Sequence, residues 1–304
     1  MIVLGSANMD IVVRTSRAPS AGETILGHNY ALYTGGKGAN QAVAARRAGA
    51  QVAFLSCIGR DAYGDRLVEA LAADGIGLGA VRRVETPTGV AFITVEASGE
   101  NRIIVVPGAN WAFRPEYLPE TFVRGTVLLA QLEIPVATFC AAAARVRAAG
   151  GTVILNASPI EALEERSRAG LLEAADILLV NELEAVALLG VAAEIGTLAA
   201  AIKAAASLAG SRRTAVITRG AAGVVWCAGG ACGHLPGHSV AAVDTTACGD
   251  AFAGAFASAI ERDEPITAAV ACANAAGALA ATKAGAQSSL PDHTEIAAFL
   301  ALHC

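Results

Sequence analysis

From about residue 125 onward, short apolar runs alternate with alanine-rich stretches: Val127-Leu-Leu-Ala130, Thr152-Val-Ile-Leu155, Ile177-Leu-Leu-Val180 and Ala215-Val-Ile-Thr218. Strands of this kind, separated by helical stretches, are the mark of βαβ units and a parallel sheet with helices on its faces. Each run ends on or near a polar residue: Glu133, Asn156, Asn181 and Thr218. Ligands of open α/β sheets bind at the carboxyl ends of the strands, so these four side chains are expected to line one crevice. Any one of them would also serve as a helix cap or loop former.

The N-terminal third follows another rhythm. Ile2-Val-Leu starts a strand, but residues 10–35 alternate apolar and polar, and Gly99 marks a turn between Gly89–Glu96 and Arg102–Val106. These segments are expected to form a small sheet outside the main one, a lid built from about 10–35 and 86–107 on a single α/β domain spanning 1–304. Val90, Phe92 and Ile104 fall on the lid's outer face, which a two-layer element cannot bury by itself. A homodimer formed through the lid is therefore expected.

With 54% hydrophobic and 16% charged residues, a chain of 304 residues can bury a large core without metals or disulfides. Its net charge of −5 offers no field for nucleic acid or an anionic membrane. Seven scattered cysteines with no C-x-x-C pair suit a reducing compartment better than a disulfide framework. No basic segment precedes the strand at Ile2, so the expected location is the cytoplasm. Ala268 to Ala281 is apolar but interrupted by Asn274, which fits a packed core helix. The five histidines show no metal-ligand spacing, and no G-x-S-x-G elbow is present.

Two glycine-bearing elements carry chemistry. Gly35-Gly-Lys-Gly-Ala-Asn-Gln41 feeds an alanine-rich helix, yet it has neither the Walker pattern nor the dinucleotide fingerprint, because Gln41 stands where a third small residue belongs. A nicotinamide dehydrogenase therefore lacks its phosphate loop. What this element offers, with Gly5-Ser-Ala-Asn-Met-Asp10, is Asn8, Asp10, Lys37 and Asn40, groups able to hydrogen-bond a small polyol. The second element is Asp244-Thr-Thr-Ala-Cys-Gly-Asp250, followed by a small-residue run to Ala259. Free amides at a helix start favour a phosphate, and Asp250 on the same turn suits a base for phosphoryl transfer. An ordinary Asp helix cap explains the same pair of residues.

Taken in order, these elements resemble the ribokinase-like (PfkB) family of carbohydrate kinases over essentially the whole chain. Besides the elements above, Gly108-Ala-Asn110, Gln131-Leu-Glu133, Asn181-Glu-Leu-Glu184, Thr218-Arg-Gly220 and Lys283-Ala-Gly-Ala-Gln287 carry the resemblance. It implies a three-layer α/β/α sandwich with a mainly parallel sheet and a β lid. The activity implied is ATP-dependent sugar phosphorylation, with ribose favoured and fructose, a deoxysugar or a nucleoside as alternatives. A sensor on a retired kinase scaffold is a third reading, opposed by intact Asp250 and Gly249. Asn8, Asp10, Gly36, Lys37, Gly38, Asn40 and Glu133 are implied to hold the sugar, with Asp250 as base and the amides of Ala247, Cys248 and Gly249 as an anion hole. The nucleotide is assigned to Thr218, Gly220, Gly223, Gly249 and Asn274. Asn181 and Glu184 are implied to position Mg²⁺ through water and the phosphates. Asp244, Thr246, Ala280, Lys283, Gly285 and Ser289 are implied to surround K⁺, largely through carbonyls. The chain departs from the family at Asn156-Ala-Ser-Pro159 and at Cys248, expected to be a passive small side chain although the helix start could make its thiol acidic and oxidisable.

Overall fold

The structure, a computed structural model, describes residues 1–160, 165–191 and 195–303. The chain opens with β1 (Ile2–Leu4), β2 (Asn8–Arg14), β3 (Asn29–Gly35), α1 (Lys37–Arg47), β4 (Ala53–Gly59) and α2 (Ala62–Ala73). Next come β5 (Val81–Val84), β6 (Gly89–Val95) and β7 (Asn101–Val106). The alternating series then runs β8 (Val127–Ala130), α3 (Val136–Ala148), β9 (Thr152–Asn156), α4 (Glu165–Ala174), β10 (Ile177–Asn181), α5 (Glu182–Leu189), α6 (Leu198–Ala209) and β11 (Thr214–Thr218). A hairpin, β12 (Val224–Ala228) and β13 (Ala231–Leu235), leads to α7 (Cys248–Glu261), α8 (Ile266–Ala281) and α9 (His293–His303).

Strand order in the main sheet is β13-β12-β11-β10-β9-β8-β1-β4-β5. All pairs from β11 to β5 are parallel, and only the terminal hairpin is antiparallel. The strands read as unbroken apolar runs because both faces are covered. Val3, Leu129, Ile154, Leu179 and Val216 point into a core closed by α1, α7 and α8. Their neighbours Leu4, Leu128, Leu155, Leu178 and Ile217 point into a second core closed by α3 and α6. The period-2 alternation thus splits one hydrophobic run between two layers, which makes the α/β/α sandwich.

A second sheet, ordered β3-β2-β6-β7, forms the lid. One of its faces carries the row Leu32, Ile11, Phe92 and Ile104. Phe92 is 48% and Ile104 68% exposed.

Helices α1 and α7 approach closely, which explains the small-residue run after Asp250. A Cβ on Gly254 would lie 2.5 Å from Ala44 Cβ and 2.6 Å from Ala45 N. Ser258 and Arg262 both donate to Ala48 O at the end of α1 (3.1 and 3.2 Å). This contact sets the start of α7 against the start of α1.

The thiols differ from expectation at one place. Gly229 and Gly230, both with positive φ, close a two-residue turn that brings Cys227 directly opposite Cys232, and the two form a disulfide. Cys57, Cys140, Cys248 and Cys272 are free, and Cys304 lies outside the described residues. Among the described residues no helix is long and apolar enough to cross a membrane.

Candidate active site

Asp250 is the third residue of α7, and its side chain caps nothing. It is buried, its Oδ2 accepts from Asn40 Nδ2 (3.0 Å) and its Oδ1 from Gln41 Nε2 (2.9 Å). The helix-cap reading of Asp250 is thereby excluded. The N-cap is Ala247, in the left-handed region (φ 59°, ψ 9°) with no side-chain cap. Such a backbone costs a non-glycine residue roughly 1–2 kcal/mol and is characteristic of functional turns. Burial pushes the Asp250 carboxyl above its ordinary range, opposed by the Lys37 charge and the Asn40 and Gln41 donors. A carboxylate so raised binds a proton more tightly than a surface carboxylate does.

The anion-hole expectation needs adjustment. Cys248 N–H already donates to Thr245 O (3.3 Å), so one of the three expected amides is engaged. The positive φ lies at Ala247 and not at Gly249, where an added Cβ would meet open space. Nor is the Cys248 thiol acidic. Burial, reinforced by Asp244 and Asp250, pushes it up to about 11.

A cavity of about 910 Å³ lies at the carboxyl ends of the strands. It is bordered by Lys37, Asn156, Asn181, Glu184, Thr218, Gly220, Gly223, Gly249, Asp250 and Asn274. Three of the four strand-end residues therefore share a crevice. Glu133 does not; it borders a separate cavity of about 340 Å³ with Asn8, Asn110 and Trp111. Its Oε2 accepts from Lys37 N (3.1 Å) and from Ser6 Oγ, so it places negative charge on the N-terminus of α1, whose N-cap Gly36 has no side chain to do so.

Gly36 and Gly38 make room for backbone. A Cβ on Gly36 would lie 2.7 Å from Asn8 N, and one on Gly38 2.5 Å from Gly5 C. Their absence of side chains packs the α1 start against the β1–β2 connection, where Gly38 N–H donates to Ser6 Oγ (3.2 Å). Asn8 Oδ1 accepts from Asn110 Nδ2 (2.7 Å), and Ala7 N–H donates to Asn110 Oδ1 (2.9 Å). Asn110 thus holds Asn8 in place, a role its motif alone did not disclose. Burial, then the charges of Glu133 and Asp250, push the Asp10 carboxyl up to about 7. Asn40 Oδ1 is buried with no donor among the described residues.

Asn181 and Glu184 form a capping box on α5: Asn181 Oδ1 accepts from Glu184 N and Glu184 Oε2 from Asn181 N, both at 2.8 Å. The N-x-x-E spacing is what that box requires. Both residues border the large cavity as well, so they can face a hydrated cation only with the atoms the box leaves over. Arg219 N–H donates to Gly223 O (2.8 Å), and Gly223 has φ 92° where a Cβ would strike Leu235 O. Asn274 Nδ2 donates to Pro236 O (2.9 Å), and Thr218 Oγ1 to Val180 O (3.4 Å).

Asp244 ties together the two loops expected around the monovalent cation. Its Oδ1 accepts from Thr246 N and its Oδ2 from Gly285 N, both at 2.9 Å, and these donors hold its carboxyl below the usual range. Lys283 N–H donates to Ala280 O (3.2 Å), while its Nζ pairs with Glu295 (2.6 Å); buried Ser289 donates to Ala286 O (2.8 Å). Among the described residues no cluster of His, Cys, Asp and Glu is fit for a divalent or transition metal. A monovalent cation held between these loops would be coordinated by oxygens, backbone carbonyls among them, which suit a hard cation such as K⁺.

The pattern of the pfkB family carbohydrate kinases matches residues 1–293. This chain belongs to that family. It is 40% identical to the ribokinase of Haemophilus influenzae over 310 aligned positions, covering 99% of this chain and 98% of the relative. Among solved structures, a Thermotoga maritima ribokinase superposes with a TM-score of 0.89 at 37% identity, covering 99% of this chain and 98% of that one. An Arabidopsis thaliana ribokinase complexed with ribose and ATP superposes with a TM-score of 0.86 at 31% identity, covering 98% and 97%. As a member of the family the chain is a carbohydrate kinase with the expected α/β sandwich and lid.

Proposed function

We propose that this chain transfers the γ-phosphoryl group of ATP to the O5 hydroxyl of D-ribose, giving ribose 5-phosphate and ADP. The observation that carries the reading is Asp250: a buried carboxylate at the start of a helix, held on both oxygens, lining a cavity on the carboxyl edge of a parallel sheet. Full-length similarity to ribokinases, one of them complexed with ribose and ATP, supports the choice of substrates.

Ribose is held by Asn8, Asp10, Asn40 and the backbone of Gly36, Lys37 and Gly38, with Glu133 beside them. The donorless Asn40 Oδ1 fits a sugar hydroxyl, which supplies the missing O–H. The O5 oxygen attacks the γ-phosphorus in line, its proton passes to Asp250, and the bond to the ADP oxygen breaks. Lys37 and the amides around Gly249 stabilise the charge that develops on the transferred group. Thr218, Gly220, Gly223 and Asn274 border the room for the nucleotide.

Mg²⁺, when bound, neutralises phosphate charge, and Asn181 and Glu184 are the residues here able to hold its water. The loops that Asp244 joins through Thr246 and Gly285 would hold K⁺, whose charge would order them next to the α7 turn. Two copies pair through the outer lid face around Phe92 and Ile104, and the protein works in the cytoplasm.

ADP release with Mg-ATP in potassium buffer, across ribose, deoxyribose, fructose, adenosine and pseudouridine, tests the substrate. Preference for ribose by kcat/KM is expected; preference for another acceptor overturns the sugar assignment. Repeating the ribose assay in a large-cation buffer tests K⁺, since equal rates remove it.

A further inference from the structure

Gln41 and Gln131 are fully buried amides that no step of the proposed reaction uses. Burying two primary amides in an apolar core is costly unless each group is paired, so their arrangement needs a reason. Gln41 Nε2 has two hydrogens. One goes to Asp250 Oδ1 (2.9 Å) and the other to Asn156 Oδ1 (2.8 Å). Gln41 Oε1 accepts from Gln131 Nε2 (2.6 Å). Asn156 is itself oriented, because its Nδ2 donates to Leu179 O (3.2 Å).

This pattern fixes the sense of the Gln41 amide. Turned over, it would set its oxygen against those of Asp250 and Asn156 and its N–H groups against the donor of Gln131. A carboxylate with a soft torsion thus receives a donor whose own orientation is set by two strand ends, β8 through Gln131 and β9 through Asn156. Gln131 Oε1 is buried without a donor and packs on Gly5, where a Cβ would lie 1.9 Å away. The chain accepts an unpaired polar atom there to keep the Gln131 N–H aimed at Gln41.

We infer that Gln41, held by Gln131, is a positioning residue that fixes the Asp250 carboxylate for proton transfer from the sugar. The inference rests on the reading of Asp250 as the base. Positioning acts on geometry and on proton affinity together. Loss of the Gln41 donor leaves the carboxylate held by Asn40 alone and favours its protonated form. The other charged and titratable groups around Asp250 are Lys37 on α1, Glu133 after β8, Asp10 on β2 and Cys248 on α7, and none is altered by changing Gln41 or Gln131.

The test is steady-state kinetics and pH profiles of Gln41→Met, Gln131→Met, Gln131→Glu and Asp250→Asn, each checked for folding by its melting curve. Gln41→Met is expected to lower kcat roughly 100-fold with the KM for ATP within about twofold of wild type. Its acid limb should move up by about one pH unit. Gln131→Met, one link further out, is expected to lower kcat about 10-fold with the same direction of shift. Gln131→Glu keeps the bulk but accepts where the amide donates, so it turns Gln41 over and costs more kcat than the methionine. A packing role predicts the reverse order. Wild-type kcat and acid limb in folded Gln41→Met and Gln131→Met overturn the inference, as does a loss of kcat with no shift of the limb. Substantial turnover by Asp250→Asn instead removes the base reading itself, whatever the glutamine variants do.

Discussion

Asn40 donates its amide to Asp250 Oδ2 at 3.0 Å and leaves its own carbonyl oxygen buried without a donor. One side chain thus holds the proposed base and presents a vacant acceptor beside it. Kinetics read the two functions separately. Asn40→Leu should raise the sugar KM roughly 10- to 100-fold, the cost of one or two buried hydrogen bonds, and also lower kcat. Asp250→Asn should fold and bind ATP normally while losing at least about 1,000-fold in kcat. Equilibrium ATP binding and initial rates check both; a sugar KM unchanged in Asn40→Leu would detach that residue from the acceptor.

Asp10 gives the fold a pH dependence with a defined sign. Its carboxyl is raised from 3.8 to about 7 in the folded protein, so the folded state holds a proton that the unfolded chain releases between those values. The resulting stability is complete below the unfolded value and is lost as pH rises through about 7. The sugar-free protein should therefore melt lower at pH 8 than at pH 6. Asp10→Asn, which carries no charge at either pH, should reduce that difference, leaving the part due to the raised Asp250 carboxyl; an unchanged difference in the variant would assign the effect to another group.

Gly254 sets the approach of α1 and α7 and, through it, the reach of Asn40 and Gln41 to Asp250. A helix-interior Gly→Ala change gains about 1 kcal/mol in propensity. Here the added Cβ falls 2.5–2.8 Å from Ala44 and from backbone atoms of Gln41 and Ala45, and overpacking of that kind costs about 1–3 kcal/mol. The clash wins, so Gly254→Ala should lower the melting temperature and Gly254→Val should lower it further, with kcat falling in step. Stabilisation by alanine would mean that the helices can separate without consequence.

The outer lid face predicts its own assembly. Phe92 and Ile104 stand opposite each other on β6 and β7, both substantially exposed. Charged residues at both positions should convert a dimer to a monomer in sedimentation velocity; a wild type that sediments as a monomer contradicts pairing through the lid.

Much of the frame was legible in the sequence because buried parallel strands read as apolar runs. Val127–Ala130 matches β8 to the residue, and the next three runs match β9 to β11 within one residue at each end. Four strands went unread: β4, although it lies between α1 and α2, the short half-buried β5, and the antiparallel hairpin β12 and β13. Asp250 was legible as chemistry, but its partners were not. Gln41 registered only as a residue that spoils a dinucleotide fingerprint, since a buried amide network has neither period nor spacing. Asn181 and Glu184 show the opposite limit: one spacing serves a helix cap and a ligand site, and only coordinates show the cap. The pairing of Cys227 with Cys232 depends on hairpin register, which two adjacent glycines set and cysteine spacing does not reveal.

The most direct measurement is ³¹P and ¹³C NMR of the product formed from ribose and Mg-ATP by the wild-type protein in potassium buffer. A single ester with phosphate on O5, formed in step with ADP, is the predicted result. Phosphate at another ribose oxygen, or ADP released with no sugar ester, would contradict the placement of the O5 hydroxyl against Asp250.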